Sequence, residues 1–171
     1  MSKNRLILGA VACSLAVYGI YFSSGDCSRS KKFIVNGDSM SGIFEHGQNI
    51  RARYGYYSCH EPVRNEIVVV KYGGDPNPLL KQIRGVPGDS LSFAKDKYAD
   101  YLVLNKVPLM TTKNKFFYVD SNAKKLLSGY LLDGKIRKEA YLILGNQPVG
   151  SIDSRDFGLL GIQQFLGVVP K

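Results

Sequence analysis

The sequence predicts a mainly β domain that follows one N-terminal transmembrane helix. The chain is rich in aromatic residues that favour strands, with eleven tyrosines and eight phenylalanines. Its apolar runs are short and are separated by turn residues such as Gly, Pro, Asn and Asp. The 171 residues are enough for one core and an appendage, and the apolar N-terminus supplies the appendage.

The N-terminal segment has the charge pattern and length of a membrane anchor. Lys3 and Arg5 precede residues 6–22, which carry no charged side chain. As a helix this run would extend about 26 Å, at the short end of what crosses a bilayer. A cleaved signal peptide has the same basic start and apolar core, and both alternatives direct the chain to a membrane. The predicted division is 1–5 as a short cytoplasmic N-terminus, 6–22 as a retained anchor, 23–32 as a juxtamembrane linker and 33–171 as the folded domain.

The strands of the folded domain are predicted from apolar runs bounded by turn residues. Residues 124–136 show no clear period, and the segment after residue 144 is rich in the Gly, Pro, Ser and Asp of a loop. Many short strands with turns between them favour an all-β, barrel-like domain. The predicted strands lie at 31–35, 49–57, 66–72, 101–110, 114–121 and 139–144, with two more within 79–93 around a Pro-Gly-Asp turn.

The net charge of +9 does not by itself identify a partner. Most lysines and arginines are dispersed along the predicted strands, which is typical of a solvated surface and not of a nucleic-acid stripe. One short basic cluster, at residues 29–32, follows soon after the apolar segment and suits anionic lipid head groups. We therefore expect membrane lipid, and no nucleic acid, among the partners.

Cysteine and histidine are too few to define a metal site or a disulfide-rich scaffold. Cys27 and Cys59 lie outside the apolar segment, where export would permit one disulfide between them, whereas Cys13 lies inside it. No pattern of cysteine and histidine has metal-ligand spacing, so we expect no metal and no cofactor.

Ser39, in the segment Val-Asn-Gly-Asp-Ser-Met at residues 35–40, is either part of a plain turn or a nucleophile. A nucleophilic serine needs a base, and neither His46 nor His60 has a recognisable triad context. A lysine serves as the base when burial lowers its pKa, and Lys81 lies among apolar residues. The alternative for Lys81 is an ordinary exposed position on an alternating strand.

A third segment, Ser-Ile-Asp-Ser-Arg at residues 151–155, has a plain structural interpretation as well. Asp and Ser form turns in loops, and Asp153 with Arg155 would make a surface ion pair. Each of the three segments is a weak signal alone. Their order along the chain, after an apolar N-terminus, favours the functional interpretation.

Together these segments resemble the type I signal peptidase family of membrane-anchored serine proteases with a Ser-Lys dyad. The family's motifs are Gly-x-Ser-Met, an apolar strand, Lys-x-x-x-Gly-x-Pro-Gly-Asp, Gly-Asn/Asp-x, and Ser-x-Asp-Ser-Arg-x-x-Gly. The resemblance spans nearly the whole chain and implies a coiled antiparallel β barrel or pair of sheets on the outer side of a membrane. The corresponding segments of this chain are 37–40, 67–70, 81–89, 145–147 and 151–158.

The resemblance implies catalytic roles for three residues. Ser39 would attack the scissile carbonyl and donate its backbone N–H to the oxyanion, and Lys81 would be the general base. Ser151 would hydrogen-bond the lysine amine and orient it. The family's second oxyanion donor, a hydroxyl two residues before the nucleophile, is replaced by Gly37, so we expect a hole built partly from backbone alone.

Further residues take supporting roles by the same resemblance. Asp153 and Arg155 would form an ion pair that braces the active-site loop. Val35, Met40 and Leu80 would line a shallow apolar pocket for a small side chain, such as Ala, that precedes the cut.

The implied function is removal of signal or leader peptides from exported precursor proteins by a membrane-anchored serine endopeptidase. The implied location is a bacterial-type inner membrane, with the catalytic domain on the periplasmic side. The short region between the lysine and Asp-Ser-Arg motifs is similar to the conjugal-transfer TraF-type branch, whose members mature or cyclise pilin subunits. Pilin is therefore a second substrate class.

Two alternatives of other classes remain. An anchored, non-enzymatic β domain that acts in secretion or pilus-channel assembly would keep Ser39 and Lys81 apart or leave Lys81 solvated. A cytosolic self-cleaving repressor uses a similar dyad, but the uncharged N-terminal segment and the lack of a helix-turn-helix pattern argue against it.

Overall fold

A computed structural model describes residues 28–73 and 77–170 of the chain. The predicted mainly β architecture is confirmed, with antiparallel pairing throughout the two larger sheets. In chain order the elements are β1 (Arg29–Ile34), β2 (Asn49–Tyr54), β3 (Ile67–Val70), β4 (Leu79–Gly85), β5 (Leu91–Lys95), β6 (Asp100–Leu104), β7 (Val107–Pro108), β8 (Tyr118–Val119), α1 (Ser121–Ser128), β9 (Leu131–Leu132), β10 (Lys135–Ile136), β11 (Leu142–Leu144), α2 (Ser154–Phe157) and β12 (Phe165–Val169), with 3₁₀ turns at Tyr56–Ser58 and Ile162–Gln164.

The larger sheet has six strands in the order β1-β2-β12-β3-β4-β11. Its central strand β3 is Ile-Val-Val-Val and is buried at every position, because core side chains cover both of its faces. Strand β4 lies between β3 and β11, and the loop that carries Ser39 follows edge strand β1. The larger sheet therefore supplies both halves of the candidate Ser-Lys pair.

The smaller sheet is an insertion between β4 and β11. Strands β5, β6 and β7 pair in order, and β8 pairs with the other end of β6. Buried leucines of β5 and β6 pack with Phe117 and with Leu127 of α1, and this core continues into β11 through Leu142 and Leu144. The two sheets thus share one apolar core beside the candidate site.

The single strand predicted at residues 101–110 is wrong. It divides into β6 and β7 around Asn105 and Lys106, whose φ angles are 51° and 68°. Two consecutive residues with positive φ form the tight turn whose twist suits an antiparallel hairpin. The apolar pattern continues across this turn and conceals it.

The region without a clear period, residues 124–136, contains most of α1 and the β9–β10 hairpin. Asp120 caps the helix by accepting a 2.8 Å hydrogen bond from the backbone N–H of Ala123. Only Ala123 and Leu127 are buried in it, so eight residues provide too few apolar positions for a helical period. The strand predicted to be last is also followed by another, β12, which inserts between β2 and β3.

The predictions for the N-terminus lie mostly outside the described residues, and this includes the anchor at 6–22. Within 28–73 and 77–170, no helix is long and apolar enough to cross a membrane. Strand β1 begins at Arg29, so the last four residues assigned to the linker belong to the sheet. Cys59 is disulfide-bonded, and its partner lies outside the described residues.

Candidate active site

Ser39 lies in a tight loop that leaves β1. Gly37 has a φ of 86°, a conformation that few side chains tolerate, and its N–H donates to His46 Nδ1 at 3.1 Å. The side chain of Met40 is 1% exposed and anchors the loop in the core. Ser39 is partly exposed as a result, while its neighbours hold the backbone on both sides.

Lys81 reaches Ser39 from the middle of β4. Buried and partly exposed residues alternate along this strand, and Lys81 occupies a buried position directly opposite Val68 of β3. The lysine is 2% exposed, and its Nζ lies 2.7 Å from Ser39 Oγ. The structure therefore brings the two predicted catalytic residues into hydrogen-bonding contact, although 42 positions separate them in sequence.

Burial lowers the pKa of Lys81 from 10.5 to about 8. The main cause is loss of hydration of the ammonium group, and the guanidinium of Arg155 also lowers the pKa. The carboxylates of Asp153 and Asp156 act in the opposite direction. The lysine consequently has a neutral fraction near pH 8 and can accept a proton from the serine hydroxyl.

A cavity of about 110 Å³ opens beside the Ser39–Lys81 contact. Val35, Met40 and Leu80, the three predicted pocket residues, line it together with Ser39 and Lys81. The first two are buried and Leu80 is half-buried. An apolar cavity of this size accommodates a small side chain next to the serine hydroxyl.

Ser151 is buried beside this pair, but the predicted hydrogen bond to the lysine is not formed. Its Oγ has no hydrogen-bond partner among the described residues. A Cβ added to Gly145 would collide with Ser151 Oγ and would lie 2.7 Å from the carbonyl oxygen of Ser39. Glycine at 145 thus allows the Ser151 segment and the Ser39 loop to approach each other.

Asp153 and Arg155 form the predicted ion pair, and both are removed from solvent. Arg155 Nη2 lies 2.8 Å from Asp153 Oδ2, and its Nε lies 2.9 Å from Oδ1. The same carboxylate accepts from the backbone N–H of Gly145, and the guanidinium donates to the carbonyls of Gln147 and Pro148. The pair therefore fixes the chain on both sides of the Ser151 segment.

Two residues of the candidate site, Asn146 and Gln147, were not identified from the sequence as functional. The backbone N–H of Asn146 donates to the Ser39 carbonyl at 2.6 Å, and its side chain donates to the Ser41 carbonyl at 2.7 Å. Gln147 Nε2 donates to the Asp38 carbonyl at 3.1 Å. Their position in the Gly-Asn/Asp-x motif was a signal, but the motif does not reveal which groups they bind.

These contacts orient the peptide bond between Asp38 and Ser39. Its carbonyl is directed at the N–H of Ser41, 3.0 Å away, and at the side chain of Gln147. Because a trans peptide is planar, the N–H of Ser39 is directed the opposite way. It finds no acceptor within the described part of the chain and is available to a developing oxyanion. Gly37 offers no side-chain donor beside it.

No group of three or more His, Cys, Asp or Glu residues that could hold a metal ion occurs in residues 28–73 and 77–170. His60 stacks on Tyr56 with its ring centroid 3.9 Å away, and its Nδ1 lies 2.9 Å from the carbonyl oxygen of that tyrosine. The chemistry available at the candidate site is thus that of a serine hydroxyl, an amine of lowered pKa and a free backbone N–H.

A protein-family model described as "Signal peptidase, peptidase S26" matches residues 7–170. Among curated proteins, signal peptidase I V of Bacillus subtilis strain 168 is 25% identical over 140 residues, which cover 79% of this chain and 80% of that protein. Signal peptidase IB of Staphylococcus aureus strain COL is 26% identical over 143 residues, covering 80% of this chain and 74% of that protein. Among solved structures, a signal peptidase I from Enterococcus faecalis V583 is 23% identical, with a TM-score of 0.45 over 65% of this chain and 98% of that chain.

Proposed function

The chain belongs to the signal peptidase family S26, and from this premise we propose that it is a membrane-anchored serine endopeptidase that removes signal peptides from exported precursors. Family membership supports signal-peptide removal by a serine protease. The observation that carries the mechanism is the 2.7 Å contact between Ser39 Oγ and the buried Lys81 Nζ. The anchor at residues 6–22 and a periplasmic location of residues 33–171 are parts of the same proposal.

The proposed reaction begins with attack of Ser39 Oγ on the carbonyl carbon that precedes the scissile bond. Neutral Lys81 accepts the hydroxyl proton, and the N–H of Ser39 stabilises the oxyanion. The tetrahedral intermediate expels the amine of the mature protein, which takes the proton from Lys81. An ester joins the signal peptide to Ser39. Lys81 then deprotonates a water molecule that attacks the ester carbon. The bond to Ser39 Oγ breaks, Lys81 returns the proton to that oxygen, and the signal peptide leaves as a carboxylate after losing its acid proton to solvent.

The surroundings of the dyad support this division of roles. Ser39 carries the attacking oxygen at the mouth of the 110 Å³ cavity, where Val35, Met40 and Leu80 would receive the small residue before the cut. Ser151, whose buried hydroxyl has no hydrogen-bond partner among the described residues, is proposed to hydrogen-bond the lysine amine during the reaction. A non-enzymatic β domain would not need a lysine that is 2% exposed and in contact with a serine hydroxyl, so the geometry favours the enzyme.

Substrate range is the finer part of the proposal. An anchored enzyme and a precursor held by its own apolar segment share one surface, which raises their effective concentration. Exported precursors in general are the proposed substrates, and pilin is the narrower class that the TraF-type resemblance implies. Parallel assays with a secreted precursor and a pilin precursor distinguish the two, because a dedicated pilin peptidase leaves the secreted precursor uncut.

The test is cleavage of a precursor by the full chain reconstituted in membranes. Ser39→Ala and Lys81→Ala should each abolish processing, since either change removes one half of the proton transfer. Ser92→Ala and Lys95→Ala make the same chemical changes at exposed positions of β5 and should cleave normally. Normal processing by the Ser39 or Lys81 variant would overturn the proposed dyad.

A further inference from the structure

The outer end of the larger sheet carries an exposed basic face that the proposed chemistry does not use. Strands β1 and β2 pair in the register Ser30–Arg53, Lys32–Arg51 and Ile34–Asn49. Directly paired residues extend to the same side of a sheet, so these six side chains share one face. All six are exposed. We call them the β1–β2 basic face.

The cations of this face have no acidic partner. The ion pairs of the described residues are Arg64–Asp89, Lys124–Asp100 and Arg155–Asp153. Glu66 shares a depression with Arg53 but accepts its hydrogen bonds from the Tyr57 hydroxyl and the Val63 N–H. Within the described part of the protein, no carboxylate therefore forms an ion pair with the cations of the β1–β2 basic face.

Lys32 and Arg51 face each other directly across the two strands. Like charges in this arrangement destabilise a sheet, so the pair is unfavourable for folding alone. A lysine on an edge strand prevents pairing with other chains, but β2 is an inner strand, which pairs with β1 along its whole length and with β12 at Arg53 and Tyr54. Edge protection therefore accounts for Lys32. Arg53 has contacts of its own, since its guanidinium lies 4.8 Å from the centroid of the Tyr56 ring and its Nε donates to Ser28 Oγ at 3.2 Å. Arg51 is the cation that neither explanation covers.

The shape and position of the face suit a bilayer surface. Lys32, Asn49 and Arg51 line an open depression of about 450 Å³, which is large enough for a phosphate-bearing head group. Ile34, on the same face, is 68% exposed and offers an apolar side chain beside the charges. Six residues separate the apolar segment at 6–22 from Arg29, and the chain between Phe22 and Arg29 spans at most about 25 Å when fully extended.

We propose that the β1–β2 basic face docks on an anionic phospholipid bilayer. Each lysine or arginine near such a surface contributes about 1 kcal/mol of attraction, so three adjacent cations orient the domain measurably. Because β1 leads directly into the Ser39 loop, docking holds the cleft close to the head groups. The proposal rests on the proposed anchor at residues 6–22 but not on peptide cleavage, since it concerns binding alone.

The test uses the full chain in nanodiscs. Because the sequence contains no tryptophan, one introduced tryptophan is the sole source of indole fluorescence. Ser30→Trp places the sole indole on the β1–β2 basic face, and Ser92→Trp places it at an exposed serine of β5 as the matched control. Nanodiscs of phosphatidylcholine are compared with nanodiscs that also contain phosphatidylglycerol, each with and without brominated lipid. We expect a blue shift and bromine quenching for Ser30→Trp in anionic nanodiscs only, with neither for Ser92→Trp.

Charge variants in the Ser30→Trp background complete the test. Replacing Lys32, Arg51 and Arg53 by Gln should abolish the quenching, as should high salt, where the Debye length falls to about 3 Å. Replacing Lys95, Lys115 and Lys138 by Gln makes the same change of charge elsewhere and should leave quenching intact. Equal spectra in neutral and anionic nanodiscs, or retention of a soluble polyanion such as RNA without any bilayer response, would overturn the proposal.

Discussion

Asn146 donates its backbone N–H to the carbonyl of Ser39, and its side chain joins that loop to the connection between β7 and β8 of the smaller sheet. Nδ2 donates to the Ser41 carbonyl and to Thr112 Oγ1, at 2.7 and 2.6 Å, while Oδ1 accepts from the Thr112 N–H at 3.0 Å. The residue is buried, so water does not replace these contacts easily. One amide thus links the proposed nucleophile to an insertion that contains no catalytic residue.

Asn146→Ala should lower kcat by about 10- to 100-fold and leave KM nearly unchanged. The change leaves buried partners unsatisfied at a cost of about 1–3 kcal/mol, and the loop that presents the Ser39 N–H loosens. Asn122→Ala, at an exposed position of α1, is the matched control and should behave as wild type. The pH at which activity is half-maximal should not move, since Lys81 is untouched. A shifted midpoint, or unaltered kcat, would contradict this role.

The proposed protease should lose activity on the acid side because its lysine must be neutral. With a Lys81 pKa of about 8, kcat/KM should fall about tenfold per pH unit below that value. Steady-state cleavage of a fluorogenic peptide from about pH 6 to about pH 10 measures this limb, and thermal melts at each pH confirm that the chain stays folded. A rate that rises as the pH drops toward about 5 would contradict a lysine base.

Lys81→Met should stabilise the folded chain at neutral pH while abolishing cleavage. The Lys81 pKa is near 8 in the folded state against an ordinary 10.5, so the unfolded chain binds more protons between these values. Stability of the wild type therefore rises with pH from about 8 to 10.5, and below pH 8 the buried ammonium destabilises it by about 3 kcal/mol. Methionine removes this cost and keeps most of the volume.

Urea unfolding of Lys81→Met and of the wild type, at pH values below about 8 and above 10.5, measures the difference in their free energies of unfolding. The gain in the free energy of unfolding should shrink as the pH approaches 10.5. Lys95→Met, at an exposed strand position, should show no comparable gain at either pH. A difference in unfolding free energy that stays constant over this pH range would show that burial does not lower the pKa of Lys81.

The sequence predicted the mainly β fold because periodic apolar runs and turn residues are local signals. It proposed Ser39 and Lys81 as a pair because their motifs stand in the order of a known family. The contacts of Asn146 with Ser39 and Ser41 could not be predicted, since they join residues more than 100 positions apart through a loop whose shape the sequence does not specify. Helix α1 was missed because a short helix with two buried residues has no detectable period.

The β1–β2 basic face was missed for a different reason. Along the chain its cations are dispersed, and only residues 29–32 form a visible cluster. The pairing register places Arg51 opposite Lys32 and Arg53 opposite Ser30, and a shift of one residue would send these side chains to different faces. Register depends on the whole sheet, so a charge pattern of this kind emerges only from the fold.

Asp153→Asn and Arg155→Gln should shift the acid limb of the pH profile of kcat/KM in opposite directions. Asp153 raises the pKa of Lys81 and Arg155 lowers it. Asp153→Asn removes the carboxylate and leaves the guanidinium, so the Lys81 pKa should fall and activity should extend to lower pH. Arg155→Gln leaves the carboxylate unopposed and should raise the Lys81 pKa. Shifts of up to about one pH unit are expected, because both charges are buried and act directly on the lysine.

The acid limb of kcat/KM measures both shifts, and thermal melts report the accompanying loss of stability. Breaking a buried ion pair costs about 3–5 kcal/mol, so both variants should melt earlier, and Asp153→Asn combined with Arg155→Gln should return the midpoint toward the wild-type pH. Stability alone cannot produce shifts of opposite sign from two destabilising changes. Midpoints that move in the same direction would therefore show that the ion pair acts on the lysine only by supporting the loop.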